Sequence, residues 1–301
     1  MLYLLYNPTA GRGRAAKRIA RVIELFEQSG RPFEVLTTNA SGHGIELAKQ
    51  TPPGATIVAI GGDGTVQEAV RGIVEAEGFP AVPAGFVASR SLGVIPLGSG
   101  DDFAFARGID RYNVERAAEQ VLTGTEHLVD LGVMNGRPFT NAFGIGFDAA
   151  VANEAVRAPF FLKGFASYLY AVIVALRKLK AREFTVWING ALVYEGNALL
   201  VSTQNGPRTG GSFLFTPEAK NDDGLLDIIV AGDFNRLGAL RVLPKVLRGT
   251  HLIDPKITVF SGSEVRISVS EPVPGHLEGE LLAPGMDYEA HIVPKCLRVI
   301  H

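Results

Sequence analysis

Up to Gly124 the chain alternates short apolar runs with stretches of helical period, and from Glu126 onward paired strand-like runs take over. This change of texture limits the fold most. An alternation of strand and helix makes a parallel sheet covered by helices, whereas successive strands joined by tight turns make an antiparallel layer. In the first part, residues 2–6 read as a short buried strand, and residues 33–38, 56–60 and 92–96 as further strands. Between them, residues 14–29 place Ala15, Ile19, Val22, Ile23 and Phe26 at helical spacing until Gly30 stops the run. Residues 45–50, 65–77 and 113–122 give further helices.

In the second part, Asn135-Gly136 and Asn189-Gly190 sit between alternating apolar runs, the strongest short hairpin signal. Residues 129–134 then pair with 139–143, and 184–188 with 192–194. Strands are expected at 197–203, 225–230, 264–269 and 288–293, and helices at 164–180 and 236–248. The expected organisation is a doubly wound α/β domain over 1–125, followed by a mostly antiparallel, β-sandwich-like domain over 126–301.

Composition removes several classes. With 301 residues, 47% hydrophobic and 20% charged, the chain can bury a sizeable core. A net charge of −2 with dispersed Lys and Arg argues against a nucleic-acid binder. The single cysteine, Cys296, lies in an apolar run and reads as core, so no intrachain disulfide forms. The first residues lack a basic start and a long apolar stretch, so no signal peptide is expected, and the longest apolar stretch, 165–176, is short of the roughly 20 residues of a membrane span. A cytoplasmic protein is expected, free to touch a membrane peripherally.

Three glycine-rich loops follow strands of the first part, at the carboxyl ends where open α/β sheets bind ligands. They are Asn7-Pro-Thr-Ala-Gly-Arg-Gly13, Gly61-Gly-Asp-Gly-Thr65 and Pro96-Leu-Gly-Ser-Gly-Asp-Asp-Phe-Ala104. Glycines admit a phosphate close to backbone N–H groups, and a helix N-terminus adds a positive dipole end. Asp63, an acid inside such a loop, makes sense beside phosphates only with a divalent cation between them.

These loops, together with Phe143-Gly-Ile-Gly-Phe-Asp-Ala149, Lys220-Asn-Asp-Asp-Gly-Leu-Leu-Asp227 and Leu277-Glu-Gly-Glu280, resemble the diacylglycerol kinase catalytic-domain family, in particular its soluble bacterial lipid kinases. Gly-Gly-Asp-Gly alone is shared with NAD kinases; the later motifs point to lipid kinases. The resemblance implies transfer of a phosphoryl group from ATP to a lipid hydroxyl, with Mg2+, in an NAD kinase/diacylglycerol kinase-like fold. It further implies that Asn7, Arg12, Thr38, Gly61, Gly62, Asp63, Gly64, Thr65 and Ser99 line the nucleotide pocket between the domains, with Asp101 in the same loop. Asp63 would hold the catalytic magnesium, and Glu280 would be the general base, with Glu278 in place of the acid that precedes it in the motif. Lys220 and Leu225, through their carbonyls, and Asp223 would form a second, structural magnesium site; the bland reading of Asp222 and Asp223 is a plain turn before Gly224. The implied partners are a lipid substrate and a membrane surface; a homodimer is compatible with them.

Departures from the family pattern are Ser99 for Thr, Asp101 for Asn, Phe105 for Arg with Arg107 two places on, Arg12 for Lys and Glu278 for Asp. Asp101 puts a negative charge where a polyphosphate is expected, repelling it unless a metal, Arg12 or Arg107 balances it. That keeps open a nucleotide- or lipid-binding protein with degenerate catalysis, beside the NAD kinase-like alternative. Residues 160–170 are aromatic-rich, with Lys163 and then Arg177, Lys178 and Lys180. They read as helical core, or alternatively as a lipid entrance resting on an anionic surface. The six histidines have no zinc-ligand spacing.

Overall fold

The computed structural model describes all residues except Phe160, Phe161, Lys163, Gly164, Lys178 and Leu179. The chain forms two compact units. The first comprises residues 1–131, 221–223 and 293–301, and the second comprises residues 132–220 and 224–292.

In the first unit the expected alternation is present: β1 (Leu2–Tyr6), α1 (Ala10–Gln28), β2 (Phe33–Thr37), α2 (His43–Lys49), β3 (Thr56–Gly61), α3 (Asp63–Glu75), β4 (Ser91–Pro96), α4 (Asp102–Ala106), α5 (Val114–Thr123) and the start of β5 (Glu126–Met134). The sheet is parallel: β1 lies between β2 and β3, and β4 pairs with β3. Burial on both faces explains why β1, β3 and β4 are apolar runs instead of alternating ones; Leu4, Leu5, Val58, Ala59 and Ile95 are wholly enclosed, whereas β2 leaves Glu34 and Thr37 exposed. Helix α1 turns regular only after Gly11, Arg12 and Gly13, all left-handed. The C-terminus closes the sheet, because Arg298 and Val299 pair in parallel with Ser91 and Leu92. Cys296 is core, as expected, and burial pushes its thiol up to about 12.

The second unit contains β6 (Arg137–Phe139), β7 (Ala142–Gly146), α6 (Phe147–Val156), α7 (Phe165–Arg177), β8 (Arg182–Ile188), β9 (Ala191–Gln204), β10 (Leu226–Gly232), α8 (Arg236–Leu247), a 3-10 turn (His251–Ile253), β11 (Ile257–Gly262), β12 (Glu264–Leu277) and most of β13 (Glu280–Ile300). Its strands pair antiparallel, β11 with β10, β10 with β9, β9 with β7 and β8, and β12 with β7, β8 and β13. Both Asn-Gly pairs turn hairpins with left-handed φ at each residue, +45° and +77° for the first and +50° and +80° for the second. Alternate residues face a core that includes Phe139, Phe143, Phe184, Ile228 and Ile267. The sequence reading missed α4 and α6, and it placed one strand at 139–143 where β6 and β7 stand either side of Thr140-Asn141. Part of the aromatic segment 160–170 and Lys178 lie outside the described residues; Lys180 pairs with Glu271 at 2.9 Å.

Candidate active site

The third glycine-rich loop touches the other two. Leu97 N–H donates to the Gly61 carbonyl at 2.7 Å, and a Cβ on Gly11 would lie 2.2 Å from the Leu97 carbonyl oxygen. A Cβ on Gly98 would lie 2.3 Å from the Gly62 Cα, a spacing only backbone without side chains allows. Inside the first loop, Asn7 Oδ1 accepts from Thr9 N–H at 3.0 Å, a short local turn that sets the entry to α1. Thr38 is buried, with its N–H on the Tyr6 carbonyl at 2.9 Å. Arg12, Gly64 and Ser99 are exposed.

In the second loop, the Gly62 carbonyl accepts from Thr65 N–H at 2.8 Å and starts α3. Thr65 is buried and its hydroxyl oxygen has no hydrogen-bond partner among the described residues. Asp63 Oδ1 accepts from Asp102 N–H at 2.7 Å and Phe103 N–H at 3.1 Å, so the acid is oriented by the backbone that opens α4.

Asp101 does not stand free in the site. Its carboxylate accepts from Gly98 N–H at 2.9 Å, within the loop, and the residue is only 5% exposed in the left-handed conformation, φ +55°. Burial raises its pKa from the ordinary Asp value; the Gly98 hydrogen bond, then Arg111 and Arg14, oppose that rise. Arg14 and Arg111 are thus balancing cations, and they also donate to the Gly98 and Gly100 carbonyls. Arg107 is engaged elsewhere, donating to Asn221 Oδ1 at 2.8 Å and lying 3.5 Å from Asp222 and 2.6 Å from the His301 ring. Burial first, then Arg107 and His127, depress the His301 pKa to about 4. Glu68, which the sequence reading passed over, holds the loop after β2 by accepting from Gly42 and Gly44 N–H at 2.8 Å each.

In the second unit, Leu277 pairs with Glu280 across a two-residue turn. Glu278 and Gly279 occupy it with φ +54° and +83°. A glutamate at φ > 0 is costly and needs an anchor. Glu278 Oε1 accepts from Thr140 N–H at 2.6 Å, Thr140 O–H at 3.1 Å and Asn141 N–H at 2.6 Å. Its pKa is raised above the ordinary Glu value by burial, against the bonds from Asn141 and Thr140. Glu280 is exposed and pairs with Arg137 at 3.2 Å, a surface contact of small energy.

The sequence reading gave no role to a second pair beside this turn. His276 Nδ1 accepts from Gly279 N–H at 3.3 Å, which leaves Nε2 to carry the proton, and Nε2 lies 3.3 Å from the buried Asp148 Oδ2. A Cβ on Gly144 would stand 1.7 Å from that oxygen, so glycine in Phe143-Gly-Ile-Gly keeps room for the pair. Asp148 also lies on the wall of an apolar cavity of about 90 Å3, which Phe147, Val172, Leu199, Phe213 and Val242 help to line.

Asp223 is exposed and belongs to the first unit, while Lys220 and Leu225, both exposed, belong to the second. Among the described residues no group of three or more His, Cys, Asp or Glu side chains is placed to hold a metal.

Residues 1–134 match the family model described as the diacylglycerol kinase catalytic domain, and residues 141–301 match the YegS C-terminal NAD kinase beta sandwich-like domain. A curated relative, the diacylglycerol kinase of Bacillus subtilis (strain 168), is 30% identical over 92% of this chain and 88% of its own length. The chain belongs to the diacylglycerol kinase catalytic-domain family. The membership makes it a kinase-family protein of the lipid-kinase type, with the α/β and β-sandwich-like architecture that the sequence led us to expect. Among solved structures, a protein assigned as a diacylglycerol kinase from Bacillus anthracis str. Sterne superposes with a TM-score of 0.78 at 23% identity, covering 100% of this chain and 96% of that one. An NAD kinase from Archaeoglobus fulgidus in complex with ATP gives a TM-score of 0.50 at 12% identity, covering 100% and 94%. Both show the shared fold.

Proposed function

We propose that this family member transfers the γ-phosphoryl group of ATP to the hydroxyl of diacylglycerol or a related lipid. The observation that carries the proposal is the backbone contact of the third glycine-rich loop with the other two, with Asp63 oriented by two N–H groups and the buried Thr65 hydroxyl unpartnered beside it. Backbone N–H groups and the start of α3 suit an anionic polyphosphate. Asn7, Arg12, Thr38, Gly61, Gly62, Gly64, Thr65 and Ser99 are assigned to nucleotide binding, while Asp101 keeps the third loop in shape.

A single oriented carboxylate fits Mg2+, which characteristically takes one or two protein carboxylates, substrate phosphates and water. When bound, the ion would neutralise charge on the phosphates. Asp63 would hold it. Glu280 takes the proton of the acceptor hydroxyl as that oxygen bonds to the γ-phosphorus and the bond to the leaving ADP oxygen breaks. Glu278, tied to Thr140 and Asn141, fixes the turn that presents Glu280. The family resemblance supports a second, structural magnesium held by Asp223 and the Lys220 and Leu225 carbonyls; Asp222 lies against Arg107.

The same reading places the protein in lipid metabolism, in the cytoplasm and in peripheral contact with a membrane; among the described residues no helix is long and apolar enough to cross one. Because Asp101 has its charge committed within the loop, it offers less support to a reading with degenerate catalysis. The test is thermal unfolding with nucleotide: ATP should raise the melting temperature only with magnesium, and ADP should accumulate once lipid is added. A magnesium-independent shift without ADP would instead favour a binding protein.

A further inference from the structure

Helix α8 has an apolar inner face and an outer face that mixes leucines with arginines. Ala239, Val242, Leu243 and Val246 line the apolar cavity of the second unit. Leu237, Leu240, Arg241, Pro244 and Arg248 recur at i, i+3, i+4, i+7 and i+11, one helix face, and all five are exposed. Leu237 is 56% exposed and Leu240 44%. The 3-10 turn packs beside α8 and adds Ile253, 81% exposed.

Helices of water-facing surfaces turn charged and polar residues outward, so leucines on the outer stripe need a partner. The charges on the helix itself are cationic: Arg236, Arg241, Lys245 and Arg248 lie between Asp233 and Asp254, with no acid between those two. Arg241, Lys245 and Arg248 make no ion pair among the described residues. A second copy meeting this face about a two-fold axis would set arginine against arginine, which costs affinity. Apolar anchors inside a cationic rim instead fit a bilayer with anionic headgroups.

We propose that the outer face of α8, with Ile253, docks on an anionic membrane surface, so that a single helix separates the bilayer from the apolar cavity. The inference deepens the lipid-kinase reading and rests on it for the purpose of docking, but binding to vesicles is measured without catalysis. The full chain would be co-sedimented with vesicles of phosphatidylcholine plus phosphatidylglycerol, and with phosphatidylcholine alone.

The wild-type protein should bind the mixed vesicles, less so as salt rises. Arg241→Ser, Lys245→Ser and Arg248→Ser together should weaken binding about a hundredfold, at roughly fivefold per cation. Leu237→Ser with Ile253→Ser should weaken it about tenfold or more in a manner salt does not reverse. Circular dichroism checks that each variant is folded, and transfer to lipid in detergent micelles should stay at the wild-type level. Equal binding of the triple variant and wild type overturns the proposal, as does a wild-type dimer that Leu237→Ser with Ile253→Ser splits. Vesicle binding that follows these expectations without micellar lipid phosphorylation leaves docking standing and removes the kinase reading.

Discussion

Replacing Glu278 with alanine removes the acceptor for three hydrogen bonds and strands two amide N–H groups, those of Thr140 and Asn141, on residues 1% and 4% exposed. A buried donor left unpaired costs about 1–3 kcal/mol. Two of them give a loss of roughly 3–4 kcal/mol. For a chain of this size that lowers the melting temperature of the second unit by about 6 °C or more. Glutamine tells a different story. Its Oε1 keeps the three bonds, and turning the Asn141 amide over would offer its Oδ1, unpartnered among the described residues, to the new Nε2. Glu278→Gln should therefore cost less than about 1 kcal/mol. Because burial raises the folded pKa of Glu278, the native state holds its proton to higher pH than the unfolded chain, and stability falls as pH rises from the ordinary Glu value through the folded one. Glutamine should flatten that slope. Thermal melts of the three proteins from pH 4 to 8, with hydrogen exchange at Thr140 and Asn141, are the assay. An alanine variant within 1 °C of wild type would refute the anchoring role (the limit set as about a third of one kcal/mol), and glutamine as damaging as alanine would refute the neutral-acceptor reasoning.

Two further predictions concern the first unit. Gly98→Ala drives a methyl group into the Gly62 backbone and should cost about 1–3 kcal/mol while abolishing the thermal shift with ATP; an unchanged shift would detach the loop contact from nucleotide binding. Asp101→Asn keeps the acceptor for Gly98 N–H and tolerates φ +55°, but drops a buried charge whose pKa is raised. It should be more stable than wild type at pH 8, with the advantage disappearing as pH falls to the ordinary Asp value, and a loss at pH 8 would contradict this.

Much of the architecture was legible because it is local. Alternating period defined the α/β unit, and both Asn-Gly pairs made the hairpin turns that left-handed φ requires. The parts that escaped are long-range. That residues 298 and 299 pair with β4 depends on a partner some two hundred positions away, which no window of sequence contains. The five residues of α4 carry too little period to be seen, and the acid that orients their first N–H groups, Asp63, comes from another loop. Asp101 reads in sequence as a charge that would repel a polyphosphate, because its sequence neighbours hide that Arg14 and Arg111 converge on its loop. Asp148 stood in a motif whose glycines could be quoted from the sequence, but its partner His276 lies across the sheet. Glu278 and Glu280 are two places apart in one turn, and only the fold separates the tied acid from the exposed one.

The central claim is phosphoryl transfer to a lipid hydroxyl with Glu280 as the base. The most direct measurement incubates the purified protein with magnesium and γ-labelled ATP against mixed lipid micelles, beside Glu280→Gln. Label in an organic-phase product with the wild-type protein, and its loss in a variant that still binds ATP, is the predicted result. Label that persists in Glu280→Gln contradicts the base assignment, and no labelled lipid with the wild-type protein contradicts the account as a whole.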